Sequence, residues 1–129
     1  MESQQANVDI IRRTYEGPEF LLEALTDSTV WTEAEGYPYG GTFHGAASIK
    51  SNVFDRLGTE WDNFVATVHT YHEVSSQKIV ITEGVYTGTY KATGKSIRAD
   101  FAHVWRLADG KIAAFKQYVD SHIVVQAMS

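Results

Sequence analysis

The run from Ile97 to Asp120, IRADFAHVWRLADGKIAAFKQYVD, restricts the fold more than any other stretch of the chain. Apolar residues alternate along it on both sides of Asp109-Gly110, a dipeptide that tolerates the positive φ values of a two-residue hairpin turn. Two long antiparallel strands follow from that pattern. Alternation sets Ile97, Ala99, Phe101, His103, Trp105 and Leu107 on one face of the first strand, so one titratable imidazole stands in an otherwise apolar row. Further extended runs near residues 62–74 and 78–91 precede the hairpin, joined through Ser75-Ser76 and through the ATGK segment around Gly94. Consecutive strands on short turns predict an antiparallel meander. Strands this long must twist and coil, and a coiled sheet has a concave side.

The first half of the chain supplies what covers that side. From Asn7, the apolar positions Val8, Ile11 and Tyr15 recur with Arg12, Arg13 and Glu16 between them, which predicts an amphipathic helix. Gly17-Pro18 ends it, and Pro18 with Glu19 opens a second short helix through Phe20, Leu21, Leu22 and Leu25. Residues 28–34 have strand composition and lead into GYPYGGTFHG, read as a loop. After Gly45, the positions Ile49, Val53 and Leu57 share a helical face with Phe54 beside them, and this third helix is expected to end near Gly58. Residues 121–128 add a helical turn or two. Helices against an antiparallel sheet make an α+β architecture.

Length and charge narrow the function classes. The chain has 129 residues, enough for a single core, so one domain is expected. The net charge of −5 and the absence of a basic run argue against a surface that tracks phosphates, and so against nucleic-acid partners. There is no cysteine, which removes disulfides, thiolate metal sites and a thiol nucleophile. His69 and His72 are three apart in an expected strand and so point to opposite faces, a poor start for a metal site. The amino-terminal MESQQANVDII lacks the basic start and apolar core of a secretory signal. No apolar stretch approaches the roughly 20 residues of a membrane span. A cytoplasmic protein is expected.

The order helix, helix, strand, helix and long curved meander resembles the nuclear transport factor 2-like superfamily, and within it the SnoaL-like and ketosteroid isomerase-related proteins. The likeness is carried by Val30-Trp31 followed by YPYGGTFHG, by FAHVWR at 101–106 leading into Asp109-Gly110-Lys111-Ile112, and by Gln117-Tyr118-Val119-Asp120. It spans nearly the whole chain. It implies a single SnoaL-like domain over 1–129, cystatin-like in fold, with a cone-shaped curved antiparallel sheet packed on N-terminal helices around a deep apolar pocket. It also implies a homodimer packed sheet to sheet, a small apolar ligand, and neither metal nor organic cofactor.

Such folds host steroid isomerases, dehydratases, polyketide cyclases, epoxide hydrolases and proteins with no chemistry, so function must be argued by position. Ketosteroid isomerase uses an Asp base, a Tyr donor and a protonated Asp. By motif alignment these positions fall near Thr32, Thr14 and His103, so the resemblance does not extend to a true ketosteroid isomerase. The last-strand carboxylate of SnoaL-like cyclases and limonene epoxide hydrolase falls at Gln117, which takes no proton at neutral pH but can orient a ligand or water.

The candidate catalytic residues are therefore His103, Gln117 and Asp120. His103, with an ordinary pKa of about 6.5, is either a general base or a buried neutral imidazole packed between Phe101 and Trp105. Asp120 either turns inward to support the site or caps the terminal helix. Candidate ligand-binding residues are Trp31, Tyr37, Tyr39, Phe54, Phe101 and Trp105, which line the pocket or else fill the core between helices and sheet, with Tyr37 and Tyr39 expected at the pocket mouth or a dimer rim. Glu33 and Glu35 flank the loop as paired carboxylates that could do acid-base work, and the solvated reading is preferred; Asp100 with Arg98 and Arg106 reads as outward cross-strand charge pairing or as polar trim of a dimer interface. Two functions stand: proton-transfer chemistry (cyclisation, isomerisation, dehydration or hydrolysis) on a small apolar metabolite, or a non-catalytic ligand-binding or dimerisation module.

Overall fold

A computed structural model describes residues 2–129, with side chains from Asn7 onward. Helix α1 (Glu2–Thr14) buries Ile11 completely, and Gly17-Pro18 breaks the chain into α2 (Pro18–Ala24), which has its proline in the first turn. Next come β1 (Val30–Glu33) and β2 (Gly41–His44). Within the segment expected to be loop, Gly41, Thr42, Phe43 and His44 pair antiparallel with β1, because Thr and Phe suit an extended edge. The third helix comprises α3 (Ala46–Ile49), a π-helical turn (Lys50–Phe54) and α4 (Asp55–Glu60). It runs through Gly58, which faces open space, so its glycine does not stop it.

The long strands are β3 (Trp61–Val74), β4 (Ile79–Tyr90), β5 (Ser96–Ala108) and β6 (Lys111–Val119), and helix α5 (Ser121–Ala127) closes the chain. They form the expected antiparallel meander. Asp109 and Gly110 both take positive φ (52° and 78°), as the two-residue hairpin requires. The described residues make one six-stranded sheet in the order β2-β1-β6-β5-β4-β3, curved and unclosed, with the N-terminal helices against it. The β1–β6 pairing is parallel, joining the start of the chain to its end. Among the described residues no helix is long and apolar enough to cross a membrane.

Two irregularities shape the sheet. Register shifts in β3 after Asp62 and after Val68, with Asn63 at φ 53°, mark bulges, which bend a strand and increase its twist. A shift after Arg106 lets Ile112, Phe115 and Gln117 all face inward although strict alternation would separate Ile112 from the other two. On the outward face, Arg98 lies opposite Thr87 and Asp100 opposite Val85. The charge pairing expected there is absent among the described residues, since register sets each charge against a neutral side chain.

The inward row of β5 is buried as alternation predicts, from Ile97 through Ala99, Phe101, His103 and Trp105 to Leu107. Two apolar clusters meet along it. One holds Ile11, Trp31, Val53, Trp105 and Phe115; the other holds Tyr37, Tyr39, Trp61, Tyr86 and Phe101, and His103 stands between Phe101 and Trp105. Gly84 sits where β4 passes beneath this row. A Cβ there would collide with the Thr67 carbonyl oxygen and lie 2.7 Å from Phe101 Cζ. Gly84→Ala is therefore expected to lower unfolding free energy by about 2–3 kcal/mol, read as a reduced urea midpoint; an unchanged midpoint would mean that the sheet can spread here without cost.

Candidate active site

A cavity of about 270 Å³ opens between the sheet and the helices. Its floor is the inward face of β5 and β6, through His103, Trp105, Phe115 and Gln117, and Tyr86 comes from β4. Trp31 and Glu33 enter from β1, Tyr15, Pro18 and Leu21 from the α1–α2 corner, and Val53, Phe54 and Leu57 from the third helix. Val53 and Phe54 belong to the π-helical turn, an irregularity that recurs at functional sites.

The polar groups form a connected chain. Tyr15 Oη lies 2.6 Å from His103 Nδ1 and 2.7 Å from Thr82 Oγ1, while Tyr86 Oη lies 2.6 Å from His103 Nε2. The Trp105 indole N–H donates to Tyr15 Oη at 3.1 Å, and the Gln117 amide N–H donates to Tyr86 Oη at 2.8 Å. The backbone N–H of Ala34 donates to Gln117 Oε1 at 3.2 Å, so this glutamine is held at both ends. Burial pushes the Tyr15 and Tyr86 hydroxyls well up, and it pushes the His103 imidazole down to about 3. At neutral pH the whole chain is uncharged.

Glu33 is the exception. Only 3% exposed and facing the cavity, its carboxyl is pushed by burial up to about 7. The Trp31 indole N–H, donating to Oε2 at 2.8 Å, and the neighbouring Gln117 amide favour the charged form and moderate the rise. A carboxyl that ionises near neutrality inside an apolar cavity can take a proton and return it.

Of the residues singled out from sequence, His103, Gln117, Trp31, Phe54 and Trp105 line this cavity together. Phe101 does not. It stacks behind, on His103 (centroids 4.1 Å) and near Tyr86 (4.4 Å), and so fixes the imidazole plane from below. Tyr37 and Tyr39 are not at a mouth or rim but buried in the second cluster, because the loop folds back through Tyr37 N–H to Ala34 O and Gly40 N–H to Tyr37 O. Tyr39 Oη donates to Glu60 Oε1 at 2.6 Å and accepts from the Trp61 indole at 2.9 Å. Asp120 is exposed and accepts from the Ile123 N–H, capping α5; β6 ends at Val119, so nothing turns the carboxylate inward. His69 and His72 are both exposed, bonded to Thr70 and Glu83 respectively.

Sequence reasoning missed Tyr15 and Tyr86, and it preferred the solvated reading of Glu33 to the acid-base one. Glu35 is solvated as expected, whereas Glu33 is buried, and alternation from the inward Trp31 could have shown it. Glu33 and Tyr15, each one residue beyond the positions compared at Thr32 and Thr14, are the ones that carry a carboxyl and a phenol to the cavity wall. Thr32 pairs across the β1–β2 edge with Thr42, while Thr14, also on the cavity wall, spends its hydroxyl on the Ile11 carbonyl.

A curved sheet with helices enclosing an apolar cavity, floored by a few convergent polar groups, is the architecture of nuclear transport factor 2-like proteins. Residues 13–115 match the SnoaL-like domain, and this chain belongs to that family. It is similar to a nuclear transport factor 2-like protein from Burkholderia thailandensis, with 38% identity over 95% of both chains and a TM-score of 0.88. Another such protein of unknown function, from Burkholderia pseudomallei, is 23% identical over 96% of this chain and 98% of the other, with a TM-score of 0.85. TerC, co-crystallised with polyporic acid, is 24% identical over 95% and 98% of the chains, with a TM-score of 0.83. No curated protein matches the sequence.

The raised pKa of Glu33 has a stability signature. Its ordinary value is 4.5 and its folded value about 7, so between them the folded state keeps a proton that the unfolded chain releases. This contribution is fully present below about 4.5 and is lost as pH rises through about 7. His103 acts oppositely, its contribution being lost as pH falls from 6.5 towards about 3, so wild type alone shows a blurred profile. Comparison with Glu33→Gln cancels the histidine. The variant is expected to gain about 3 kcal/mol relative to wild type between pH ~4.5 and ~8, measured by urea unfolding at each pH; a constant difference would mean that Glu33 is not desolvated.

Proposed function

We propose that this protein binds a small apolar metabolite in the cavity and catalyses proton transfer on it, with Glu33 as the group that accepts and returns the proton. The observation that carries this reading is the buried carboxyl at the cavity wall, ionising near pH 7. Catalytic bases work best when their pKa lies near the operating pH, since they are then both available and strong enough. The apolar wall of Trp31, Phe54, Trp105 and Phe115 supplies binding by burial and keeps bulk water from levelling the carboxyl. A relative of the same fold, TerC, was crystallised with polyporic acid, which is compatible with such a ligand.

The proton-moving role expected of His103 passes in this proposal to Glu33. Both ring nitrogens of His103 are engaged by tyrosine hydroxyls, and desolvation keeps the ring from taking up a proton at neutral pH. Gln117 stands beside Glu33 and positions the end of the cavity where the proton is exchanged. A base so placed can begin cyclisation, isomerisation or dehydration by taking a proton from the substrate, and hydrolysis by taking one from water.

The test is exchange of α-hydrogens in a panel of small aryl ketones in D2O, followed by NMR. Wild type is expected to accelerate exchange for at least one member, with a rate that rises with pH through about 7 as Glu33 ionises. Glu33→Gln is expected to slow it by at least ~100-fold. Equal exchange by both proteins would remove Glu33 from the role, and none by either would leave a binding module.

We also propose that two copies pair through the outward face of β5 and β6, where Ala102 lies opposite an exposed Tyr118 and Val104 opposite Lys116. Sedimentation at two concentrations is expected to give a two-chain mass that dissociates on dilution; a single-chain mass at both would overturn the pairing.

A further inference from the structure

We propose that His103 is a tautomeric bridge that lets Tyr86 turn its hydroxyl proton into the cavity, and that the bound metabolite therefore carries an acceptor oxygen, such as a carbonyl, at that point. This deepens the function proposed above and rests on it. His103 is here a positioning residue and Tyr86 the group that touches the ligand.

The argument is an accounting of protons along the chain. Gln117 Oε1 is taken by the Ala34 N–H, which can only donate, so the amide nitrogen must be the end that faces Tyr86, and Tyr86 Oη is an acceptor there. Trp105 Nε1 also only donates, reaching Tyr15 Oη at 3.1 Å and Thr82 Oγ1 at 3.3 Å. A neutral imidazole has one donor and one acceptor nitrogen, so two arrangements fit the contacts.

With the proton on Nδ1, the ring donates to Tyr15, Tyr15 donates to Thr82, and Tyr86 donates back to Nε2. Every hydroxyl proton is then used except that of Thr82, which is fully buried and has no other side-chain partner among the described residues. With the proton on Nε2, Thr82 donates to Tyr15, Tyr15 donates to Nδ1, and the ring donates to Tyr86. Tyr86 Oη now accepts from both His103 and Gln117, and its own proton is left over at the cavity wall. The first arrangement strands a proton in the core; the second presents one to a ligand. A buried donor without an acceptor is costly, so an acceptor oxygen in the cavity selects the second.

The test reads the tautomer directly, by NMR of protein labelled with 15N-histidine, in which protonated and unprotonated ring nitrogens are well separated. Without ligand, Tyr86→Phe is expected to hold the proton on Nδ1, because Nε2 then lacks an acceptor for it. Thr82→Val is expected to hold it on Nε2, because Tyr15 then has only Nδ1 to donate to. In wild type, 2-acetylnaphthalene, which carries an acceptor oxygen, is expected to raise the Nε2–H share above that seen with naphthalene. Tyr86→Phe is expected to weaken 2-acetylnaphthalene by about tenfold and to leave naphthalene unchanged, read by calorimetry.

The same tautomer in both variants and with both probes, or an imidazolium at neutral pH, would overturn the bridge. Equal weakening of both probes by Tyr86→Phe would overturn the acceptor-oxygen assignment. Failure of both probes to bind wild type would sink the metabolite-binding reading and with it the ligand assignment, while the tautomers of the two variants decide the bridge separately.

Discussion

The Trp31 indole lies on the Phe115 ring with centroids 3.7 Å apart and planes within 20°, because β1 runs parallel beside β6 in the register Trp31 to Phe115. Trp31 also meets Phe54 and Trp105 edge-on, so the third helix, β1 and the centre of the sheet are locked on one side chain. Burial of a large aromatic contributes about 1.5–3 kcal/mol, and three such contacts fix its orientation as well. The position of Glu33 depends on this seating. Two residues beyond Trp31 on the same face, it is carried into the cavity beside Gln117, two residues beyond Phe115.

The apolar surroundings then decide what each polar group can be. His103, Tyr15 and Tyr86 are kept neutral by desolvation, and with Thr82 they are made tolerable by bonding one another, as buried polar groups must be. Glu33 has only the Trp31 indole and the nearby amide to favour its charge, so its pKa rises to the range where it can exchange a proton. A carboxyl that titrates near neutrality thus stands beside a hydrogen-bond chain that stays neutral there.

Much of the fold was legible in the sequence because β5 has a strict pattern: its buried row from Ile97 to Leu107 and the Asp109-Gly110 turn follow from period-two alternation and φ preference alone. The third helix and the capping option for Asp120 were legible for similar local reasons. The site was legible only in part. His103 and Gln117 are inward positions on long strands, where alternation speaks clearly, whereas Glu33 ends a four-residue strand beside a glycine-rich loop and reads locally as solvated. Tyr37 and Tyr39 failed for the converse reason, since a loop that folds back on itself buries what its composition suggests is exposed.

The sequence by itself determined the long antiparallel strands, their inward faces, the helices that cover them and membership in a fold with a concave apolar side, because these rest on interactions between residues near in the chain or on repeating patterns. Only the tertiary structure decided which groups share the cavity. Tyr15 and His103 are 88 residues apart, and Ala34 and Gln117 are 83 apart. Such contacts depend on the parallel register of β1 on β6 and on the seating of α1, and a pKa set by burial exists only once those elements have closed over Glu33.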